Sequence, residues 1–242
     1  MTVKIEWVEL EKLPNGIRYR KFINGKPTNN YKLELSAGDP TLDLQVGAGS
    51  DDCFKFWEYD DHWTFSTTSA MQRVGYAGST IYKIGGGMRF QAVTIPQGAT
   101  IVTAHLQLRA YNDKSGTIVR SRIRGEAADD TTTFSTVSDY DNRVRTGVSV
   151  DWDGIPAWTK DADYNSPSIV SVIQEIVNRG SWASGNAIVI FWDDHEGRSD
   201  PNSDCDRIAY SYNGSTTYAP KLHIEYSTPP PPTRRSFGYI IG

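Results

Sequence analysis

The stretch MRFQAVTIPQGATIVTAHLQLRAY, residues 88–111, predicts two β-strands joined by a tight turn. Both halves contain valine, isoleucine and threonine, which favour strands, and Pro96 and Gly98 separate them as turn residues do. In residues 106–110, LQLRA, apolar and polar side chains alternate. Because such alternation buries one face of a sheet and exposes the other, the stretch indicates an antiparallel sheet.

Eight further segments have the same short, β-branched and aromatic character, and turn residues separate them. They are LDLQV (42–46), CFKFW (53–57), STIYKIG (79–85), TIVRSRIRGEA (117–127), VSVDW (148–152), AIVIFW (187–192), RIAYSY (207–212) and KLHIEY (221–226). Many short strands at this spacing predict an all-β fold, an antiparallel β-sandwich or jelly roll, and argue against alternating strands and helices.

One inserted helix is predicted within this β domain. Ser166 followed by Pro167 is typical of an N-cap and a first helical residue, and Gly180 marks the end. Between them lies an apolar stripe at helical spacing, made of Ile169, Val172, Ile173, Ile176 and Val177. We expect this helix to close one end of the sandwich.

The two ends of the chain differ from the β domain of residues 41–227. In residues 1–40, alternating segments at 16–24 and 31–35 around an Asn-Gly turn predict a hairpin that serves as an N-terminal arm. Residues 228–242 include a run of four prolines, which predicts a polyproline II spacer. The apolar tip after it is either disordered or an assembly tail that docks on another protein or subunit; it comprises Phe237, Tyr239, Ile240 and Ile241.

Composition excludes several classes of protein. With a net charge of -4, 22% charged and 38% hydrophobic residues, the 242-residue chain is globular in character and gives no reason to expect a nucleic-acid partner. No window approaches about 18 consecutive apolar residues, so we expect neither a transmembrane helix nor membrane insertion. The first residues contain no signal-peptide-like apolar run. Cys53 and Cys205 either pair, if their strands meet, or are two separate buried thiols.

Five blocks, in their order along the chain, resemble a β-sandwich domain that recurs in secreted bacterial and archaeal multidomain proteins. The blocks are residues 89–110, RIRGEAADDTTTFST (122–136), RVRTGVSVDWDGIPAWT (143–159), SPSIVSVIQEIVNRGSWASGNAIVIFW (166–192) and AYSYNGSTTYAPKLHIEY (209–226). The resemblance covers about residues 46–227. That domain is similar to the jelly rolls of carbohydrate-binding modules, which implies a non-catalytic accessory, adhesive or structural module. The resemblance implies no particular binding residues.

An aromatic segment supplies the candidate ligand-binding residues. In CFKFWEYDDHWTF, residues 53–65, aromatic and charged side chains are interleaved too closely for every ring to be buried. Trp57, Tyr59 and Trp63 therefore offer flat apolar faces that could stack on sugar rings, while neighbouring charges satisfy sugar hydroxyls. The alternative is that these rings cover the core or a subunit interface.

A second candidate site is the acidic loop DDHEGRSDPNSDCD, residues 193–206, in which six acidic residues face one arginine. Crowded carboxylates favour Ca²⁺, although the spacing is not that of an EF-hand. The candidate ligands of a structural calcium ion are Asp193, Asp194, Asp200 and Asp204. A solvated acidic loop without metal is the alternative, and no other cofactor is predicted.

No catalytic residues are predicted. Adjacent acidic pairs such as Asp129-Asp130 could supply an acid and a base for glycoside hydrolysis, but adjacency in turns does not fix the separation that this reaction needs. The chain contains no metalloprotease HExxH pattern, nucleophile elbow, phosphate loop or dinucleotide fingerprint. We therefore expect a binding or structural protein rather than an enzyme.

Together these features predict a non-catalytic structural or adhesion protein that is displayed on a surface. The arm, the tail and the lack of a leader favour a phage virion component, either a capsid decoration or a tail or fibre protein, on the virion or extracellular surface. Its expected partners are other virion or surface proteins, further copies of itself in a homo-oligomer, and glycans. The alternatives are a free carbohydrate-binding module of a secreted enzyme or adhesin, and a glycoside hydrolase or lyase.

Overall fold

The structure is a computed structural model, and it is mostly antiparallel β-sheet. This confirms the predicted all-β sandwich with an inserted helix. The structure describes residues 3–13, 16–35, 40–58, 62–78, 81–116, 118–201 and 205–227. The chain separates into two compact units, Met1–Pro40 and Thr41–Gly242. The predicted assembly tail, including Phe237 and Tyr239, lies outside the described residues.

The N-terminal unit is a three-stranded antiparallel sheet in the order β1-β2-β3. Its strands are β1 (Ile5–Leu13), β2 (Gly16–Ile23) and β3 (Lys26–Leu35). Asn24 and Gly25 form the turn between β2 and β3, with φ angles of 49° and 75°, which suit a hairpin turn. The sequence predicted this hairpin but not β1, whose register shifts between Glu9 and Glu11 and breaks the alternation.

The second unit is a sandwich of two sheets. Its elements are β4 (Thr41–Gln45), β5 (Asp52–Glu58), β6 (Trp63–Ser66), β7 (Met71–Gly75), β8 (Ile81–Phe90), β9 (Thr100–Arg109), β10 (Arg120–Gly125), α1 (Val137–Asn142), β11 (Val150–Asp153), β12 (Asp163–Asn165), α2 (Val170–Val177), β13 (Ile188–Asp194), β14 (Asp206–Tyr210) and β15 (Lys221–Ser227). The larger sheet runs β11-β10-β13-β8-β5-β6, with β7 pairing both β8 and β14. The smaller sheet runs β12-β9-β15-β4.

The main hydrophobic core lies between these sheets and includes the apolar stripe of α2. Trp158 stacks on Trp192, with ring centroids 5.9 Å apart, and both rings are buried. Trp182 is also buried, and its indole N–H donates to the carbonyl oxygen of Ile95 at 2.9 Å. Large aromatic side chains therefore fill much of the space between the sheets.

Two local predictions need correction. The helix α2 begins at Val170 and not at Pro167, because the Ser166 hydroxyl accepts a hydrogen bond from the Leu106 backbone N–H instead of capping the helix. Residues 79–85 and 88–95, predicted as separate strands, meet in β8, which continues through three glycines to Phe90.

Two further predictions concern cysteines and membranes. Cys53 and Cys205 are both buried and do not form a disulfide, so the interpretation as separate thiols is the one that the structure supports. Among the described residues, no helix combines the length and the apolar character needed to cross a membrane.

Candidate functional site

The candidate site lies on the outer face of the larger sheet. Alternation along β13 directs Trp192 into the main core and Phe191 to the opposite face. There, Phe191 belongs to a second apolar cluster that includes Phe134 and Tyr140 from the segment around α1. The α1 segment therefore covers part of the outer face and leaves an open cleft beside it.

This outer-face cleft has a volume of about 620 Å³. Trp63 and Tyr140 provide its aromatic surfaces. Five cationic side chains line it, namely Lys55, Lys83, Arg122, Arg124 and Arg145. Four carboxylates line it as well, namely Asp141, Asp193, Asp194 and Glu196.

Strand register sets the geometry of the aromatic rim. In the antiparallel pair β5–β6, Trp57 lies opposite Trp63, and Lys55 lies opposite Phe65. The two tryptophan rings meet edge to face with centroids 5.0 Å apart. The Lys55 ammonium lies 3.9 Å from the centroid of the Trp63 ring and also pairs with Asp141. These contacts fix the orientation of Trp63 at the cleft.

The structure thus brings two of the three predicted aromatic residues together. Trp63 lines the cleft. Trp57 does not line it, but its ring packs edge to face against the Trp63 ring. Both side chains are half-buried, so they combine packing with a surface that a ligand can reach. Tyr59 lies outside the described residues.

The floor of the cleft contains a hydrogen-bonded pair, buried Tyr140 and half-buried Asp193. The Tyr140 hydroxyl donates a hydrogen bond to Asp193 Oδ1, and Arg145 Nη2 lies 3.9 Å from Asp193 Oδ2. Burial raises the pKa of the Tyr140 hydroxyl well above its usual value, so the hydroxyl stays protonated and donates. Burial also raises the pKa of Asp193, which the charge of Arg145 opposes.

Arg145 is held in a fixed position above this floor. Its guanidinium carbon lies 3.4 Å from the centroid of the Phe191 ring and 4.7 Å from that of Tyr140. Its Nη1 donates to the backbone oxygens of Tyr140 and Arg143 at 2.8 Å. A cation that is stacked and hydrogen-bonded in this way needs little reordering to receive an anionic ligand.

Glycines in β8 make room for this floor. A Cβ atom added to Gly85 would overlap the Asp193 carboxylate, and one added to Gly87 would overlap the Phe134 ring. A run of glycines inside a strand marks a place where other groups approach the backbone closely. The run at 85–87 is a signal by which the sequence could have located the cleft floor, although no prediction was drawn from it.

Replacing Gly85 with alanine is expected to lower the free energy of unfolding by about 1–3 kcal/mol, because the new methyl group would push Asp193 and Tyr140 aside. Urea unfolding followed by tryptophan fluorescence measures this change. Gly47→Ala is the matched control, since its added Cβ would have no neighbouring atom within 4 Å. Equal midpoints for the two variants would show that the Gly85 site is not tightly packed.

Two of the predicted calcium ligands, Asp193 and Asp194, already accept hydrogen bonds from other groups of the chain. They are consecutive at the end of β13 and both line the cleft, where Asp193 accepts from the Tyr140 hydroxyl. Asp194 Oδ2 accepts a hydrogen bond from the Gly197 backbone N–H at 2.6 Å. Burial raises the pKa of Asp194 to about 6, and the negative charge of Asp193 also contributes to this increase. Within the described ranges, no three His, Cys, Asp or Glu side chains are arranged to hold a metal ion. Asp204 lies outside those ranges, and the calcium site stays a prediction.

The arginines of the cleft were not singled out from the sequence, although β10 carries a signal. In RSRIRG the arginines alternate with buried Ser121 and Ile123, which places the arginines on the outer face. Arg122 pairs with Asp151 and with Glu196, each at 2.7 Å. Arg124 forms no ion pair within the part of the chain that the structure describes.

Comparison with known proteins adds no assignment to this geometry. No family model matches the chain, and no curated protein sequence matches it.

Proposed function

We propose that the protein is a non-catalytic glycan-binding module whose outer-face cleft receives an acidic sugar residue. The observation that carries this proposal is the juxtaposition of the Trp63 ring with Lys55 and with the stacked Arg145 guanidinium. An aromatic face accommodates the apolar side of a sugar ring. Fixed cations beside it suit the carboxylate or sulfate that an acidic sugar carries.

The charge balance of the cleft favours an anionic ligand. Five cations oppose four carboxylates there, whereas the whole chain has a net charge of -4. Because the pKa of Asp194 is raised to about 6, its negative charge is partly lost in mildly acidic solution. Arg124 forms no ion pair among the described residues, although its charge acts on Asp193, so its guanidinium is able to meet a ligand charge.

The same geometry favours binding over catalysis. Most of the cleft-lining cations and Trp63 lie on neighbouring strands of one sheet, which holds them rigidly. Asp193 and Asp194 are adjacent on one strand, and each accepts a hydrogen bond from another group of the chain, so they do not form the facing pair that glycoside hydrolysis uses. We infer that the cleft holds a sugar without cleaving its bonds.

For the biological setting we propose a surface-displayed component of a phage virion, a capsid decoration or a tail or fibre protein. The separate N-terminal unit, which could attach the sandwich to a larger assembly, supports this setting. The second candidate is a carbohydrate-binding module of a secreted enzyme or adhesin. Detecting the protein in purified virions supports the first setting, and finding it only in culture medium supports the second.

Binding to a polyuronate, such as polygalacturonate, is the direct test of the cleft. We expect calorimetry to detect binding of polygalacturonate and no binding of the same polymer after its carboxyl groups are reduced to alcohols. Trp63→Ala should weaken binding about tenfold, since a well-placed aromatic contact is worth about 1 kcal/mol beyond the area that it buries. Arg124→Gln should weaken it tenfold or more, because a hydrogen bond to a charged group contributes about 1.5–3 kcal/mol and each 1.4 kcal/mol is about tenfold.

The chain offers a matched control on the smaller sheet. There, the Arg109 guanidinium lies 4.3 Å from the centroid of the Tyr218 ring. Tyr218→Ala and Arg109→Gln should leave polyuronate binding unchanged. Equal affinity for the reduced polymer, or equal losses in both pairs of variants, would contradict the proposal. Chain shortening of the polymer would instead support the hydrolase or lyase alternative.

A further inference from the structure

The N-terminal unit has exposed apolar side chains on both faces of its sheet. Ile5 is 55% exposed and Val8 is 42% exposed, although both belong to β1. They are three residues apart in the strand, so their side chains point to opposite faces. Exposed apolar side chains on both faces of a small sheet are available for contact with another chain.

Both outer strands of this sheet also have a free edge within the described residues. The order is β1-β2-β3, so the outward N–H and C=O groups of β1 and of β3 have no neighbouring strand in the sheet. Such edges pair readily with strands of another chain. The central strand β2 is the only one of the three that pairs on both sides.

The charges of the two edges are complementary. Strand β1 carries three glutamates and one lysine, whereas β3 carries two lysines and one glutamate. Pairing of β1 with a second β1 would bring acidic strands together, whereas pairing of β1 with β3 brings opposite charges together.

We propose that the N-terminal unit is an assembly surface whose occupant is a second copy of this chain, with β1 of one copy pairing to β3 of the next. Such a contact is heterologous, so it produces a ring where the rotation between copies closes. Pairing of β1 with β3 covers one free edge of each of the two copies that it joins. The proposal is independent of glycan binding, because none of the cleft residues belongs to this unit.

Light scattering coupled to size-exclusion chromatography tests this on the full chain. The wild type should have a mass that is a multiple of 27.0 kDa. Val8→Lys should shift it to the mass of one chain, because a lysine on an edge strand opposes pairing with another strand. Val102→Lys is the matched control, since Val102 is 48% exposed on the second unit and should not affect assembly. A wild type with the mass of one chain at every concentration would overturn the proposal, as would a Val8→Lys variant that keeps the oligomer.

Crosslinking provides a second measurement if Val8→Lys fails to fold. Glu9 on β1 and Asn29 on β3 are both exposed, whereas both native cysteines are buried. In a Glu9→Cys/Asn29→Cys variant, a short bifunctional maleimide should therefore react only with the two introduced thiols. A ladder of dimers and larger species on a denaturing gel is expected, whereas neither single variant should form it. Dimers from Glu9→Cys alone would indicate β1–β1 pairing, and the absence of any ladder would show that the edges do not meet; either result overturns the proposal.

Discussion

Replacing Arg207 with alanine is expected to lower the free energy of unfolding by about 3–5 kcal/mol. Arg207 lies on β14 and is completely buried. Its guanidinium donates hydrogen bonds to the backbone oxygens of Pro156 at 2.7 Å, Gly116 at 2.7 Å, Asp206 at 2.8 Å and Ile155 at 2.9 Å. Alanine would leave these oxygens without a donor and would open a cavity, and both effects destabilise the folded state.

Chemical unfolding in urea measures this loss. Lys160→Ala is the control, because the Lys160 side chain is exposed and its removal should change the free energy of unfolding by less than about 0.5 kcal/mol. If Arg207→Ala unfolds at the same urea concentration as the wild type, the loops around Gly116 and Pro156 do not depend on the buried guanidinium.

Replacing Asp52 with asparagine is expected to stabilise the protein above neutral pH. Burial raises the pKa of Asp52 from its ordinary value of 3.8 to about 7, although the Tyr212 backbone N–H donates to it at 2.8 Å. The folded state therefore keeps a proton that the unfolded state releases, so wild-type stability falls as pH rises from about 4 to about 7. A shift of this size corresponds to about 4 kcal/mol at most, and asparagine removes the buried charge while it retains an oxygen for the Tyr212 N–H.

The measurement is the free energy of unfolding of both proteins between pH 4 and pH 8. The two curves should meet near pH 4 and separate toward pH 8, with the variant more stable. Asp163→Asn, which changes an exposed carboxylate near Arg109, should follow the wild type throughout. A constant difference between the Asp52→Asn variant and the wild type would show that Asp52 does not titrate in the folded state in this range.

Most of the fold was predictable because the strands are locally encoded. The alternation in β9 and β15 and the apolar stripe of α2 are visible in the sequence, and both correspond to buried faces. The short strands β6 and β7 carry no such pattern. They exist because β5, β8 and β14 pair with them, and pairing partners that are distant in sequence are not encoded locally.

The site was predictable only in part, for a related reason. Trp57 and Trp63 belong to one aromatic segment, so their proximity followed from a hairpin-like arrangement of that segment. Arg145 and Asp193 are far apart in sequence and meet only because α1 folds over the outer face beside β13. Tertiary packing therefore turned the predicted calcium ligand Asp193 into the hydrogen-bond acceptor of Tyr140.

The glycine run in β8 also constrains how the binding preference can change over generations. Any side chain at position 85 would collide with the Asp193 carboxylate, so the floor of the cleft cannot be varied without rebuilding the structure beneath the ligand. The alternating arginines of β10 and the Trp63 rim are free of this restriction. We therefore expect natural or engineered variants to change their ligand preference through substitutions at Trp63 and the β10 arginines, while Gly85 stays unchanged.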